Sequence, residues 1–241
     1  MRILLFEPTK NKSIYYGLAK TFRFCGFETA MVTNKSIFEI VQEFNPDILF
    51  CEEAGRAKER YPHIMFIEEL VEEAADIFSF PDIPLKPYHK SDVMYVGDYH
   101  PILNKLISSN TNFKVFSNNK FLSVNHIGPT ENLKPYYLST QVCIATEPKH
   151  VYNCIFNKTK CITNIKLGNS IDKYTFFVNN EDELVDALKL NPGDDVFIKQ
   201  GYEDVISNHT YFHRSSSLFT KLGLIQESQL NPLVKPNHLG T

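Results

Sequence analysis

The stretch Arg2–Cys51, RILLFEPTKNKSIYYGLAKTFRFCGFETAMVTNKSIFEIVQEFNPDILFC, alternates short apolar runs with longer amphipathic ones. Arg2-Ile3-Leu4-Leu5-Phe6 has the length and composition of a strand buried on both faces. From Ser13 to Cys25, Ile14, Leu18 and Phe22 recur at helical spacing, and Gly26 follows as a glycine able to end a helix in a left-handed conformation. Phe27 to Val32 predicts the next strand. Ser36 can cap a helix running through Glu43, and Pro46-Asp47 leads into the strand Ile48-Leu49-Phe50-Cys51. Strand, helix, strand, helix, strand is one half of a mononucleotide-binding fold with a parallel sheet.

Ile64 to Ile67 predicts a further strand and Glu68 to Phe78 an acidic helix. Pro81, Pro84 and Pro87 then deny both helix and central strand, so residues 81–91 read as a linker. The alternation resumes with Asp92-Val93-Met94-Tyr95-Val96-Gly97-Asp98-Tyr99, where a strand runs into a glycine turn, and a helix from about Pro101 to Ser108 starts with its positive end exposed. Phe113–Phe116 and Gln141–Ala145 are the next strands. The expected class is α/β with two Rossmann-like domains and a cleft between them. The first domain, 1–80, is shortened; the second covers 92–204; a C-terminal helix and tail, 205–241, pack back toward the first.

A chain of 241 residues, 43% hydrophobic, can bury two cores. Its five cysteines contain no Cys-x-x-Cys pair and read as reduced thiols of a cytoplasmic protein. No apolar run has the length of a membrane span. There is no phosphate loop of the Gly-Lys-Ser/Thr type, no nucleophilic serine elbow and no metal-ligand spacing, so no metal or cofactor is expected. His63, His89, His100 and His238 read as loop histidines. The net charge of −3 is unevenly spread: residues 51–82 hold nine acids against three bases, and residues 101–180 hold nine lysines against three acids. The second half should therefore attract anions such as a nucleoside diphosphate or a nucleic-acid backbone.

Four blocks carry a resemblance. They are Val96-Gly97-Asp98-Tyr99, the stretch from His126 and Gly128 through Tyr136-Tyr137 to Cys143-Ile144, the segment Phe177 to Leu184, and the ending Gly201 to Arg214 with its His209-Thr210-Tyr211-Phe212-His213-Arg214 cluster. From about Asp92 to Leu222 the chain resembles the second domain of GT-B glycosyltransferases, and within them the CgeB-like, spore-maturation group. The resemblance implies a nucleotide-sugar, UDP-linked, held mainly by Gly97, Asp98, Tyr99, His126, Gly128, Glu147, Lys149, His150 and Asn153. It also implies that the last helix crosses back to the first domain through Phe212, Leu218, Phe219 and Leu222. Two positions depart from that group, because His150 and Asn153 stand where it carries an Arg and a ribose-binding Glu. Asn157 also sits where a turn glycine is common. Ser207 or Asn208 is expected to cap the last helix, leaving His209 and His213 to face the cleft.

Glycosyl transfer needs a departing diphosphate stabilised, which a helix N-terminus and the cations Lys149 or His150 could supply. Inversion also needs a base. Glu52 and Glu53 follow a strand, where ligands of α/β folds gather, and Glu7 follows the first strand in the same way. Three functions remain open: a transferase acting on a glycan or protein acceptor, a transferase acting on a modified base in DNA, and a nucleotide or sugar binder that has lost its chemistry.

Overall fold

The computed structural model describes residues 1–6, 12–33, 35–68, 71–75, 84–107, 112–117, 125–127, 133–190 and 195–224; for Lys12, Ser13, Asn125, His126 and Asp195 it describes the backbone alone. The chain forms two compact units, one from Met1–Ala74 with Tyr211–Thr241, the other from Ala75–Thr210.

The first unit carries β1 (Arg2–Phe6), α1 (Lys12–Phe24), β2 (Glu28–Val32), α2 (Ile37–Phe44), β3 (Ile48–Phe50), α3 (Arg56–Arg60) and β4 (Met65–Ile67). Its strands are all parallel in the order β2-β1-β3-β4. Ile3 and Leu5 point into one core, with Phe22 and Phe50, while Leu4 joins Leu49 and Val41 in the other, which is why this run is apolar without alternation. Gly26 has φ +83 after α1, and Ser36 accepts the Phe38 N–H while Glu39 returns to the Ser36 N–H, a complete capping box.

Residues 68 and 71–75 are not helical, contrary to the acidic helix expected over 68–78; the remainder of that range lies outside the described residues. Ala75 instead forms a parallel bridge with Thr210, and Ala74 and Ala75 are both buried. Four of the acids on that segment, Glu68, Glu69, Glu72 and Glu73, are close in sequence, and like charges three and four apart weaken a helix.

The second unit carries β5 (Ser91–Val96), α4 (Asn104–Ile107), β6 (Phe113–Phe116), β7 (Asn125–His126), α5 (Lys134–Leu138), β8 (Thr140–Ala145), α6 (Pro148–Phe156), β9 (Lys160–Thr163), β10 (Phe176–Phe177), α7 (Glu181–Lys189) and α8 (Asp195–Asn208). Its six-stranded parallel sheet has the order β10-β9-β8-β5-β6-β7. Met94, Val96, Cys143 and Ala145 face α6, while Val93, Tyr95, Val142 and Ile144 pack on the other side with Leu106 and Leu184. Cys154 on α6 meets the thiols of Cys143 and Cys161 within that first layer, and all five cysteines are free.

Two lysines are turned inward. Lys160, 3% exposed, donates to the carbonyls of Ala187 and Leu190, at 2.8 Å each, and so caps the carbonyl end of α7. Lys114, 5% exposed, donates to the carbonyls of Tyr88 and Lys90 around the 3-10 turn Pro87–His89. Desolvation lowers the pKa of both ammonium groups. The anion-attracting field expected of residues 101–180 is weakened accordingly, since these two charges serve the fold.

α9 (Tyr211–Lys221) belongs to the first unit, where Phe219 stacks on Phe22 at 5.2 Å and Leu218 is buried beside it. Ser207 and Asn208 are the last residues of α8 and do not cap α9; the Asn208 amide donates to Asp204 at 2.7 Å. The left-handed residue after α6 is Lys158, with φ +57, whereas Asn157 keeps φ −89.

Candidate functional site

In open parallel sheets a ligand crevice lies outside the carboxyl ends of the two strands where the connections change direction. In the second unit that point falls between β5 and β8, because β6 and β7 lie on one side of β5 while β8, β9 and β10 lie on the other. In the first unit it falls between β1 and β3.

At the second unit's switch point the chain leaves β5 through Gly97, whose φ of +135 is one an L side chain rarely adopts. A Cβ there would stand 3.1 Å from Thr146 Oγ1, 3.3 Å from Glu147 Oε1 and 3.3 Å from the Tyr95 hydroxyl, closer than a Cβ ordinarily packs, so the glycine lets three polar groups close on the backbone of this turn. The Tyr95 hydroxyl donates to the Asp98 carbonyl and lies 2.9 Å from Thr146 Oγ1, which ties the β5 turn to the end of β8. Burial raises the pKa of that phenol and keeps it protonated.

From Thr146 the chain enters α6, with Glu147 at its N-cap and Pro148 in its first turn. Glu147 makes no side-chain cap bond. Its Oε2 lies 3.1 Å from Lys149 Nζ and 3.8 Å from His150 Nε2. His150 is buried, its Nδ1 is 3.3 Å from the Tyr137 hydroxyl, and desolvation, with Lys149 nearby, lowers its pKa to about 3. At neutral pH this ring is uncharged. It does not supply the cation expected of it, and the Glu147 contact is not an ion pair there. His150 joins Val151, Cys154 and Ile155 in one buried stripe of α6.

Gly97, Glu147, Lys149 and His150 are thus brought together. Asn153 lies one turn further along α6, its Oδ1 buried without a hydrogen-bond partner. Asp98 contributes its carbonyl to the turn, and Tyr99 is exposed and donates to Asn104. For His126 only the backbone, in β7, is described; Gly128 and Glu7 lie outside the described residues.

Sequence reasoning missed Tyr95, Thr146 and His100. His100 is not an idle loop residue: its Nδ1 accepts the Ile102 N–H at 3.2 Å, and its Nε2 is 3.2 Å from the Asn164 amide beyond β9. His89 is likewise buried, accepting the Lys86 N–H at 3.1 Å; His238 lies outside the described residues. His209 is 8% exposed, its Nε2 3.0 Å from Ser170 Oγ and its ring stacked on Tyr152, so it serves a polar contact within the second unit.

At the first unit's switch point, Glu52 and Glu53 follow β3 and are exposed. Glu52 is close enough to the buried Tyr15 phenol to help raise its pKa, after burial and Cys51. Glu68, by contrast, is engaged: its Oε1 accepts the Ala54 N–H at 2.7 Å and its Oε2 pairs with Lys58, contacts that lower its pKa.

No protein-family model matches the chain, and no curated protein matches it. Solved structures do. The UDP co-structure of MnaA from S. aureus superposes with a TM-score of 0.61 at 11% identity, over 93% of this chain and 97% of that one. A Listeria monocytogenes protein assigned as a UDP-N-acetylglucosamine 2-epimerase gives 0.57 at 8% identity, over 94% and 98%. The glycosyltransferase SnogD from Streptomyces nogalater gives 0.51 at 7%, over 85% and 94%. The fold is therefore the GT-B type, α/β with two Rossmann-like domains. Among the described residues, no helix is long and apolar enough to cross a membrane.

Proposed function

We propose that this protein binds a UDP-linked sugar at the carboxyl end of the β5–β8 pair and transfers the sugar to an acceptor, as a GT-B glycosyltransferase of the CgeB-like kind. The observation that carries the reading is the tight glycine turn at Gly97, with Lys149 and the N-terminus of α6 close by, at the topological switch point. The solved structures of like fold support it, one holding UDP and another being a glycosyltransferase. The diphosphate would be met by the start of α6 and Lys149, without a metal, and Asn153 would offer its amide to the ribose. The first unit takes the acceptor side, with Glu52 as the base that accepts the acceptor's proton. The five free thiols favour a reducing, cytoplasmic setting.

A second reading, a nucleotide binder without chemistry, is favoured by the neutral, buried His150. One experiment separates the two. UDP, GDP, ADP, CDP and TDP are titrated calorimetrically, and the UDP-sugars are then followed for hydrolysis in the absence of acceptor. Selective UDP binding with slow hydrolysis, reduced about 100-fold by Glu52→Gln at unchanged UDP affinity, is the expected result for a transferase. UDP binding without turnover supports the silent binder. Conversion of the donor to its epimer redirects the reading to epimerisation, and no binding to any of the five overturns the donor site.

A further inference from the structure

We propose that Glu68 is a positioning residue: its carboxylate clamps the turn after β3 and so fixes where Glu52 presents its own; this rests on the reading of Glu52 as the base given above. Glu52 and Glu53 lie between two fixed points. Before them, the Cys51 N–H donates to the Ile67 carbonyl at 3.1 Å and continues the pairing of β3 with β4. After them, Ala54 is 4% exposed, and Gly55 turns the chain into α3 with φ +48. The Ala54 carbonyl accepts the Ala57 N–H at 2.9 Å. Its own N–H stands between a strand and a helix, where neither ladder nor helix supplies an oxygen.

Glu68, the first residue after β4, supplies that oxygen. Its Oε1 accepts the Ala54 N–H at 2.7 Å while its Oε2 pairs with Lys58 on α3, so one side chain joins the turn to the helix behind it. Both contacts favour the ionised form and make the bond to the amide a charge-assisted one. Both oxygens are committed to this turn, which fits Glu68 to order the site rather than to take a proton. Without it the Ala54 N–H must turn to water, and Glu52, two residues away, hangs on a turn held firmly at one end only. Catalysis tolerates little of this, because a misplacement of about 1 Å can cost about 100-fold in rate.

The test compares Glu68→Ala, Glu68→Asp and Glu68→Gln with the wild type and with Glu52→Gln, reading UDP-sugar hydrolysis, UDP affinity, melting temperature and hydrogen exchange of the Ala54 amide. Glu68→Gln keeps an oxygen for that amide and loses the ion pair. Glu68→Asp keeps the charge but withdraws the oxygen, and it carries the test if Glu68→Ala does not fold. In Glu68→Ala and Glu68→Asp, kcat should fall about tenfold at unchanged KM and UDP affinity, and the Ala54 amide should exchange about tenfold faster; Glu68→Gln should stay within about threefold of the wild type in both. Unchanged Ala54 exchange in the folded variants overturns the clamp whatever the activity, and a Glu68→Gln as slow as Glu68→Asp overturns it too. If Glu52→Gln slows hydrolysis and the Glu68 variants do not, the base stands and the positioning role is lost. If Glu52→Gln leaves hydrolysis unchanged, or the wild type shows none, the reading of Glu52 fails and this inference fails with it.

Discussion

The two sheets share one topology rule but place their charged groups differently. In the first unit the strands and helices bury apolar side chains, and the acids near its switch point, Glu52 and Glu53, stay in water. In the second unit a lysine enters the sheet at β6 and another at β9, and an imidazole is buried on α6, each held by polar partners. Exposed carboxylates are available for chemistry and contribute little to stability. Buried cations and imidazoles make the second unit's stability depend on pH and on the integrity of specific carbonyl contacts.

The largest expected difference between the units is in acid. His150 is neutral when folded, with a pKa of about 3, whereas an unfolded histidine titrates near 6.5. Between these values the unfolded chain binds the extra proton, so stability rises with pH across that window and is lost as pH falls through it. The slope is about 1.4 kcal/mol per pH unit, or about 5 kcal/mol over the whole window. Hydrogen exchange should show the β5 and β8 amides losing protection from pH 6.5 downward more steeply than those of β1 and β3, and His150→Gln should flatten the slope. Equal slopes in both units of the wild type would break the comparison.

Next in size, Lys160→Met should cost about 2–3 kcal/mol in denaturant unfolding, because the Ala187 and Leu190 carbonyls lose their donor at a buried helix end. Lys149→Met, at a half-exposed pair, should stay within about 0.5 kcal/mol. If the two variants unfold alike, Lys160 is not a structural lysine.

Smaller again are the two turn glycines. Gly55, with φ +48 and open space around it, should accept Ala for about 1 kcal/mol. Gly97→Ala adds contacts at 3.1–3.3 Å with groups that must shift, so it should cost about 1 kcal/mol more and abolish UDP binding. UDP affinity retained in Gly97→Ala would move the donor site elsewhere. Comparable to Gly55→Ala is Ser36→Ala, which removes the α2 cap in the first unit and should cost about 1 kcal/mol, read as a shift in the unfolding midpoint at constant slope.

The first unit was legible because its signals are local. Ile14, Leu18 and Phe22 repeat at helical spacing, Gly26 ends the helix, and Ser36 with Glu39 announces the next one. The segment after β4 was not legible, because its pattern suits a helix while Ala74 and Ala75 are buried by residues far along the chain. Of the candidate site, Gly97, Glu147 and Lys149 could be placed from a strand followed by a glycine and a helix start. The neutrality of His150 could not, because it depends on Tyr137 and on burial that only the assembled layer creates. Lys114 and Lys160 were counted as surface charge, since nothing in their neighbours along the sequence names the carbonyls that receive them.

The free cysteines give the chain an internal clock. Burial pushes the Cys25 thiol up to about 11 and the Cys51 thiol up to about 12, and raises Cys143 and Cys154 as well, so these groups carry little thiolate at neutral pH. Modification of the buried thiols of Cys51, Cys143, Cys154 and Cys161 must wait for the protein to open, whereas Cys25 is only partly buried. Cys25 and Cys51 belong to one unit and Cys143, Cys154 and Cys161 to the other. The order in which these thiols become labelled therefore records which half of the molecule breathes first, and at what rate, with no probe added to the chain.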